Sequence, residues 1–115
     1  MPSLNMKGPF DFEEMTIDLH VTRTSAGNYA LGHVNAKGFV PKYVGRADED
    51  VYKRIKDHLG EDYTKFMFSY APDVKAAFEK ECENYHAFSA QLNNEIHPDR
   101  PAGKKYECPF CDTFD

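Results

Sequence analysis

Between positions 15 and 21, Met15, Ile17, Leu19 and Val21 alternate with Thr16, Asp18 and His20. A period of two places one set of side chains on one face, so this stretch predicts a half-buried strand. A turn follows at Ser25-Ala26-Gly27. Residues 29–34 and 39–44 are rich in aromatic and β-branched side chains and are separated by Asn35-Ala36-Lys37-Gly38, which predicts a hairpin. Pro41 lies inside the second run and has no N–H to give to a ladder, so it calls for an edge or a bulge. Asp48 has the character of a helix N-cap, and Val51, Ile55, His58 and Leu59 recur at helical spacing until Gly60. Phe66, Phe68 and Tyr70 alternate with Met67 and Ser69 as a further strand. Pro72 then suits the first position of a second helix, over 72–89, with Val74, Ala77, Phe78, Cys82, Tyr85 and Phe88 as its apolar stripe. From Leu92 onward Asn93-Asn94, Pro98, Pro101, Gly103 and Pro109 interrupt any regular element.

The order strand, hairpin, helix, strand, helix, tail predicts an α+β fold with a small antiparallel sheet of three or four strands flanked by helices. A chain of 115 residues suffices for one core, so 1–115 is expected to form one domain with the irregular stretch 89–115 packed on the second helix. Hydrophobic residues at 41% against 29% charged place the chain among globular proteins rather than disordered ones. The formal charge of -5 argues against a protein that coats nucleic acid through bulk electrostatics. The stretch 37–56 differs: Lys37, Lys42, Arg46, Lys53, Arg54 and Lys56 outweigh Asp48, Glu49 and Asp50 by three charges. No apolar run is long enough for a signal peptide or a membrane span, so a cytoplasmic protein with no membrane partner is expected.

Chemistry concentrates in Gly27-Asn28-Tyr29, Tyr43-Val44-Gly45, Arg54 and His58, which a hairpin leading into a helix would bring together. Hydrolysing a phosphodiester needs a base to activate water, a cation to absorb phosphoryl charge and help for the leaving oxygen. Tyrosine, arginine and a carboxylate-held divalent metal supply all three. Gly45 would admit a backbone or ligand closely, and Arg46 and Lys53 are candidate substrate contacts. These motifs resemble the GIY-YIG nuclease superfamily over residues 27–88, with Asn28 standing where the family carries an apolar residue. The resemblance implies that Tyr29 and Tyr43 are signature tyrosines, one a candidate general base and the other a positioner of water or phosphate. It implies that Arg54 steadies the scissile phosphate and that His58, one turn on, is a further catalytic group. Glu81 is the best match for the glutamate that holds a catalytic Mg²⁺ or Mn²⁺, with Glu79 and Glu83 as rivals. The implied function is a divalent-metal-dependent endonuclease acting on DNA, with RNA as second choice. The alternative is an inactive module of the same fold that binds nucleic acid or protein. Targeting would then draw on a protein partner or on self-association.

A second set of residues lies toward the C-terminus. Cys82 and His86, four apart, share one face of the second helix, and Cys108-Pro109-Phe110-Cys111 is a Cys-x-x-Cys knuckle. Cys82, His86, Cys108 and Cys111 together use every cysteine of the chain and suit a closed tetrahedral structural Zn²⁺ site, with His97 as a competing ligand. An odd cysteine count favours thiolate chemistry in a reducing compartment over a disulfide framework. Metal binding would also explain how a tail so rich in breakers becomes ordered.

Overall fold

The computed structural model describes residues 4–94, 97–101 and 103–110. Its elements are β1 (Lys7–Asp11), α1 (Glu14–His20), β2 (Gly27–Asn35), β3 (Gly38–Ala47), α2 (Val51–Lys56), β4 (Lys65–Tyr70) and α3 (Val74–Phe88). The four strands form one antiparallel sheet in the order β1-β4-β2-β3. The fold is therefore α+β with three helices among the described residues, and the sheet has four strands.

The hairpin forms where the aromatic and β-branched runs predict it. Pairing is continuous from Asn35↔Gly38 to Gly27↔Ala47 except for a slip between Leu31 and Gly32, where Tyr43 and Pro41 become the partners and Lys42 is the extra residue. Pro41 thus lies beside a bulge in an edge strand, the two settings in which its missing N–H costs no ladder bond. β2 sits centrally, and each residue from Gly27 to Gly32 is buried, because β3 and β4 flank it and helices cover both sheet faces. Tyr29, Leu31, Phe66 and Phe68 face the α1–α2 layer with Ile17, Val51 and Ile55. Ala30 and Val44 face the other way, toward Tyr85 and Phe88 of α3.

Residues 15–21 correct the expectation of a strand: they belong to α1 and the turn that ends it. Ile17 and Val21 are buried four residues apart, whereas Met15 and Leu19 are exposed at 82% and 71%. Apolar residues two apart therefore divide between a core-facing and a solvent-facing side, as a period of 3.6 requires. The sheet position left open is taken by β1, whose Gly8-Pro9 lies at a register shift on the opposite edge. Such a strand carries almost no periodic signal, because its turn-forming residues are tolerated only at an edge or a bulge.

The helix after the hairpin is shorter than its apolar spacing predicts. α2 opens at Asp50 rather than Asp48, whose carboxylate instead accepts from Arg46 Nε at 2.8 Å. It closes at Asp57, and two tight turns through His58 and Leu59 lead to Gly60 at φ +97. α3 begins at Val74, two residues beyond the expected proline start. Asp73 caps it by accepting from the Ala76 amide at 2.8 Å.

Replacing Ile17 by Ala should cost about 2–5 kcal/mol, whereas Leu19→Ala should stay within about 0.5 kcal/mol. Urea unfolding midpoints at unchanged slope are the measurement. Equal losses at the two positions would restore the strand reading.

Candidate functional site

The hairpin register sets Tyr29 directly across from Gly45. A Cβ at position 45 would lie 2.5 Å from both Cζ and Oη of Tyr29, so the ring lies against the bare backbone of β3. Only glycine leaves that space. The ring is buried at 1% exposure, and its hydroxyl lies 2.8 Å from His58 Nε2. On the far side of the imidazole, Nδ1 lies 2.9 Å from Glu61 Oε2. A carboxylate only accepts, so Nδ1 carries the proton and the Tyr29 hydroxyl donates to Nε2. Tyr43 completes an aromatic trio, its ring 6.3 Å from Tyr29 and 5.0 Å from His58. Burial, reinforced by Tyr43 and opposed by the Arg54 cation, pushes the Tyr29 phenol well above the ordinary tyrosine range. Burial and then Glu81 push Tyr43 upward as well.

A cavity of about 610 Å³ runs along the outer edge of β3, and Tyr29, Tyr43, Gly45, Arg46, Lys53, Arg54 and Glu81 all line it. His58 stands behind Tyr29 and does not line the cavity. Alternation along β3 sends Tyr43 and Gly45 toward the α1–α2 layer and Arg46 toward α3. Lys53 and Arg54, both exposed, arrive from α2. Glu81 comes from the buried stripe of α3. Glu79 and Glu83 instead border a separate concavity with Lys80 and Phe110, so among the three glutamates only Glu81 meets the tyrosines.

Arg46 is the link between walls. Its Nη1 donates to Glu81 Oε1 at 2.7 Å and to the Asp99 carbonyl at 2.5 Å, while its guanidinium stacks 5.3 Å from the Phe78 ring centroid. With the Asp48 contact, these interactions hold a residue that the sequence marks as a substrate contact in a bracing role. Burial pushes the Glu81 carboxyl up to about 7 from an ordinary 4.5, with Arg46 pulling against it. Asp50, on the same cavity, keeps a buried Oδ1 without a hydrogen-bond partner. Asn28, the departure from the apolar motif residue, is buried and donates from Nδ2 to the Ala77 carbonyl at 2.9 Å, joining β2 to α3.

Sequence reasoning missed Glu61, whose only signal is its place three residues after His58. It also missed the tail as a cavity wall. Asn94 clamps the edge strand by accepting from the Val44 amide at 3.0 Å and donating to its carbonyl at 2.9 Å, and Pro98 and Asp99 line the cavity beyond it.

The cysteine and histidine set is assembled differently from its spacing. The ligand atoms of Cys82, His97 and Cys108 lie within 4.8 Å of one another, a group able to hold a metal ion. His86 adjoins it, but His97, expected as a competitor, is within the group, and Cys111 lies outside the described residues. Spacing favoured the knuckle; the folded tail returns His97 to α3 first. Burial, with Cys108 alongside, pushes the Cys82 thiol up, and burial beside His97 lowers His86. Comparisons with family models, with curated proteins and with solved structures returned no match. Among the described residues no helix is long and apolar enough to cross a membrane.

Glu81 holds its proton more tightly folded than unfolded, so the folded state binds more protons between about pH 4.5 and about 7 and its stability falls as pH rises through that window. Glu81→Gln, which keeps an acceptor for Arg46, should flatten that decline relative to wild type in urea titrations across the same window. An equally steep decline in the variant would assign it to another group.

Proposed function

We propose that this protein is a divalent-metal-dependent endonuclease of GIY-YIG type that hydrolyses phosphodiester bonds in DNA. The observation that carries the reading is the meeting of Tyr29, Tyr43, Arg54 and Glu81 on one cavity, contributed by two strands and two helices. A tyrosine forced above its ordinary pKa range is a poor tyrosinate, so Tyr29 needs somewhere to send its own proton. The Glu61-His58-Tyr29 chain supplies that place.

In this mechanism a water poised over Tyr29 loses a proton to the phenolic oxygen as the phenolic proton passes to His58 Nε2. The resulting imidazolium is stabilised by Glu61 through Nδ1–H. The water oxygen forms the new bond to phosphorus, and the P–O bond to the leaving sugar oxygen breaks. Arg54, exposed at the cavity and always charged, offsets phosphoryl charge, and Tyr43 orients water or phosphate. Lys53 extends the cationic face toward the substrate backbone.

Glu81, with Asp50 bringing an unpartnered carboxylate oxygen to the same cavity, offers the hard oxygen donors that Mg²⁺ or Mn²⁺ prefers. Such an ion would neutralise developing negative charge on the leaving oxygen. The cavity carries the carboxylates of Asp48, Glu49, Asp50, Asp57, Glu81 and Asp99 against the cations Arg46, Lys53 and Arg54, so a polyanion needs a divalent cation to enter. That same excess of carboxylates favours, as a second reading, a module that keeps the fold without turnover. To the Cys82, His97 and Cys108 group we assign a structural zinc ion, apart from the chemistry.

Branched, nicked and single-stranded DNA incubated with the protein and Mg²⁺ or Mn²⁺ should be cut. Tyr29→Phe, Arg54→Ala and Glu81→Gln should each lower the rate by about 100-fold or more. A wild-type protein that cuts none of these substrates, or variants that cut as fast as wild type, would overturn the assignment. Binding without cutting favours the second reading.

A further inference from the structure

We propose that Cys82, His86, His97 and Cys108 form a complete Cys₂His₂ zinc site, without Cys111, and that the ion fixes one wall of the cavity. The proposal stands whether or not the cavity cuts DNA.

Cys82 and His86 project from the same side of α3 one turn apart. His97 and Cys108 come to them from the tail. His86 Nε2 lies 3.2 Å from His97 Nε2 and 3.4 Å from Cys108 Sγ. In a tetrahedral site with ordinary Zn–N and Zn–S lengths, neighbouring nitrogens are about 3.3 Å apart and a nitrogen and sulfur about 3.5 Å apart. These two separations therefore match tetrahedral edges closely. The ligand atoms of Cys82, His97 and Cys108 lie within 4.8 Å of one another; His86 stands outside that group but touches two of its members, so a turn of its side chain toward Cys82 completes the set.

The surroundings favour a closed site. Cys82 and Cys108 are buried together with Phe78, and Tyr106 packs against them, the setting of a structural rather than a catalytic ion. The His97 ring is already oriented: Nδ1 lies 2.8 Å from the Pro98 carbonyl and donates to it, which turns the lone pair of Nε2 toward His86 and Cys108. Two sulfurs and two imidazoles fill the four positions of a tetrahedral site.

The connection to the cavity is covalent and short. Glu81 precedes Cys82 in α3, and Pro98 and Asp99 follow His97 in the tail; all three line the cavity. The Asp99 carbonyl and the Glu81 carboxylate both accept from Arg46 Nη1. A metal joining Cys82 to His97 thereby fixes the two groups that Arg46 spans. Upstream of His97, Asn94 is bonded to Val44 of the edge strand, so the same ion secures the outer edge of β3.

Elemental analysis of the purified full chain should find about one zinc per chain in wild type and equally in Cys111→Ser. After replacement by Co²⁺, the thiolate charge-transfer absorption should be the same in these two proteins. It should rise by about half in His86→Cys, where a third thiolate joins two and the site is kept. His97→Ala should weaken zinc binding at least tenfold in a chelator competition. Metal removal should also speed hydrogen exchange at the Val44 amide, while the Tyr29 amide in the central strand keeps its protection. A Cys111→Ser protein that loses zinc or about a third of its charge-transfer absorption, or a His86→Cys protein with unchanged absorption, would overturn the ligand set. Unchanged exchange at Val44 after metal removal would overturn the link to the cavity wall.

Discussion

Arg46 leaves the edge strand β3 on the side facing α3, where its side chain is only 11% exposed and must find partners within the protein. It meets Glu81, equally buried, together with Asp48 and the Asp99 carbonyl. A cation withdrawn from water this far is tolerated only when its donors are satisfied, and loss of one partner of such a pair typically costs about 3–5 kcal/mol. The interaction joins strand, helix and tail at one point, and the cavity is the space left beside that junction. Glu81 remains hard to ionise despite the adjacent cation because burial outweighs the attraction.

On the other face of the same strand the constraint is steric. Tyr29 can lie flat only because residue 45 has no side chain, and with the ring in that position its hydroxyl reaches the imidazole of His58 and, through it, Glu61. One glycine thus determines both where the phenol sits and where its proton can go. The two faces of β3 carry different parts: an aromatic side, hydrogen-bonded through His58, and an ionic side built on Arg46, which meet only at the strand edge.

That edge is also a structural liability, since an unpaired strand exposes backbone donors and acceptors to other chains. Here the tail covers it with side chains rather than with a strand. Asn94 satisfies both backbone groups of Val44, Gln91 donates to the Pro41 carbonyl at 3.1 Å, and the Asn93 amide donates to the Lys42 carbonyl. A segment with no helix or strand of its own among its described residues needs such fixed points, and the cysteine and histidine group on α3 provides another.

Much of the fold was legible in the sequence where a periodic pattern coincided with a turn signal: the hairpin, β4, α3 and the disrupted position of Pro41. The residues of the cavity were legible too, because Tyr29, Tyr43, Arg54 and Glu81 sit on elements whose order alone directs them to one side. The alternation over 15–21 misled because a seven-residue helix needs only Ile17 and Val21 inside, leaving Met15 and Leu19 to solvent. β1 was hidden because an edge strand with a bulge tolerates Gly8-Pro9, which read locally as a breaker. The sequence by itself determined which side chains are capable of chemistry and that the hairpin, the helix after it and α3 carry them. Only the tertiary structure decided that Arg46 braces Glu81, that Glu61 backs His58 and that His97 joins Cys82 and Cys108. Those pairings link residues distant along the chain or within irregular turns, where no local spacing records which side chain will meet which.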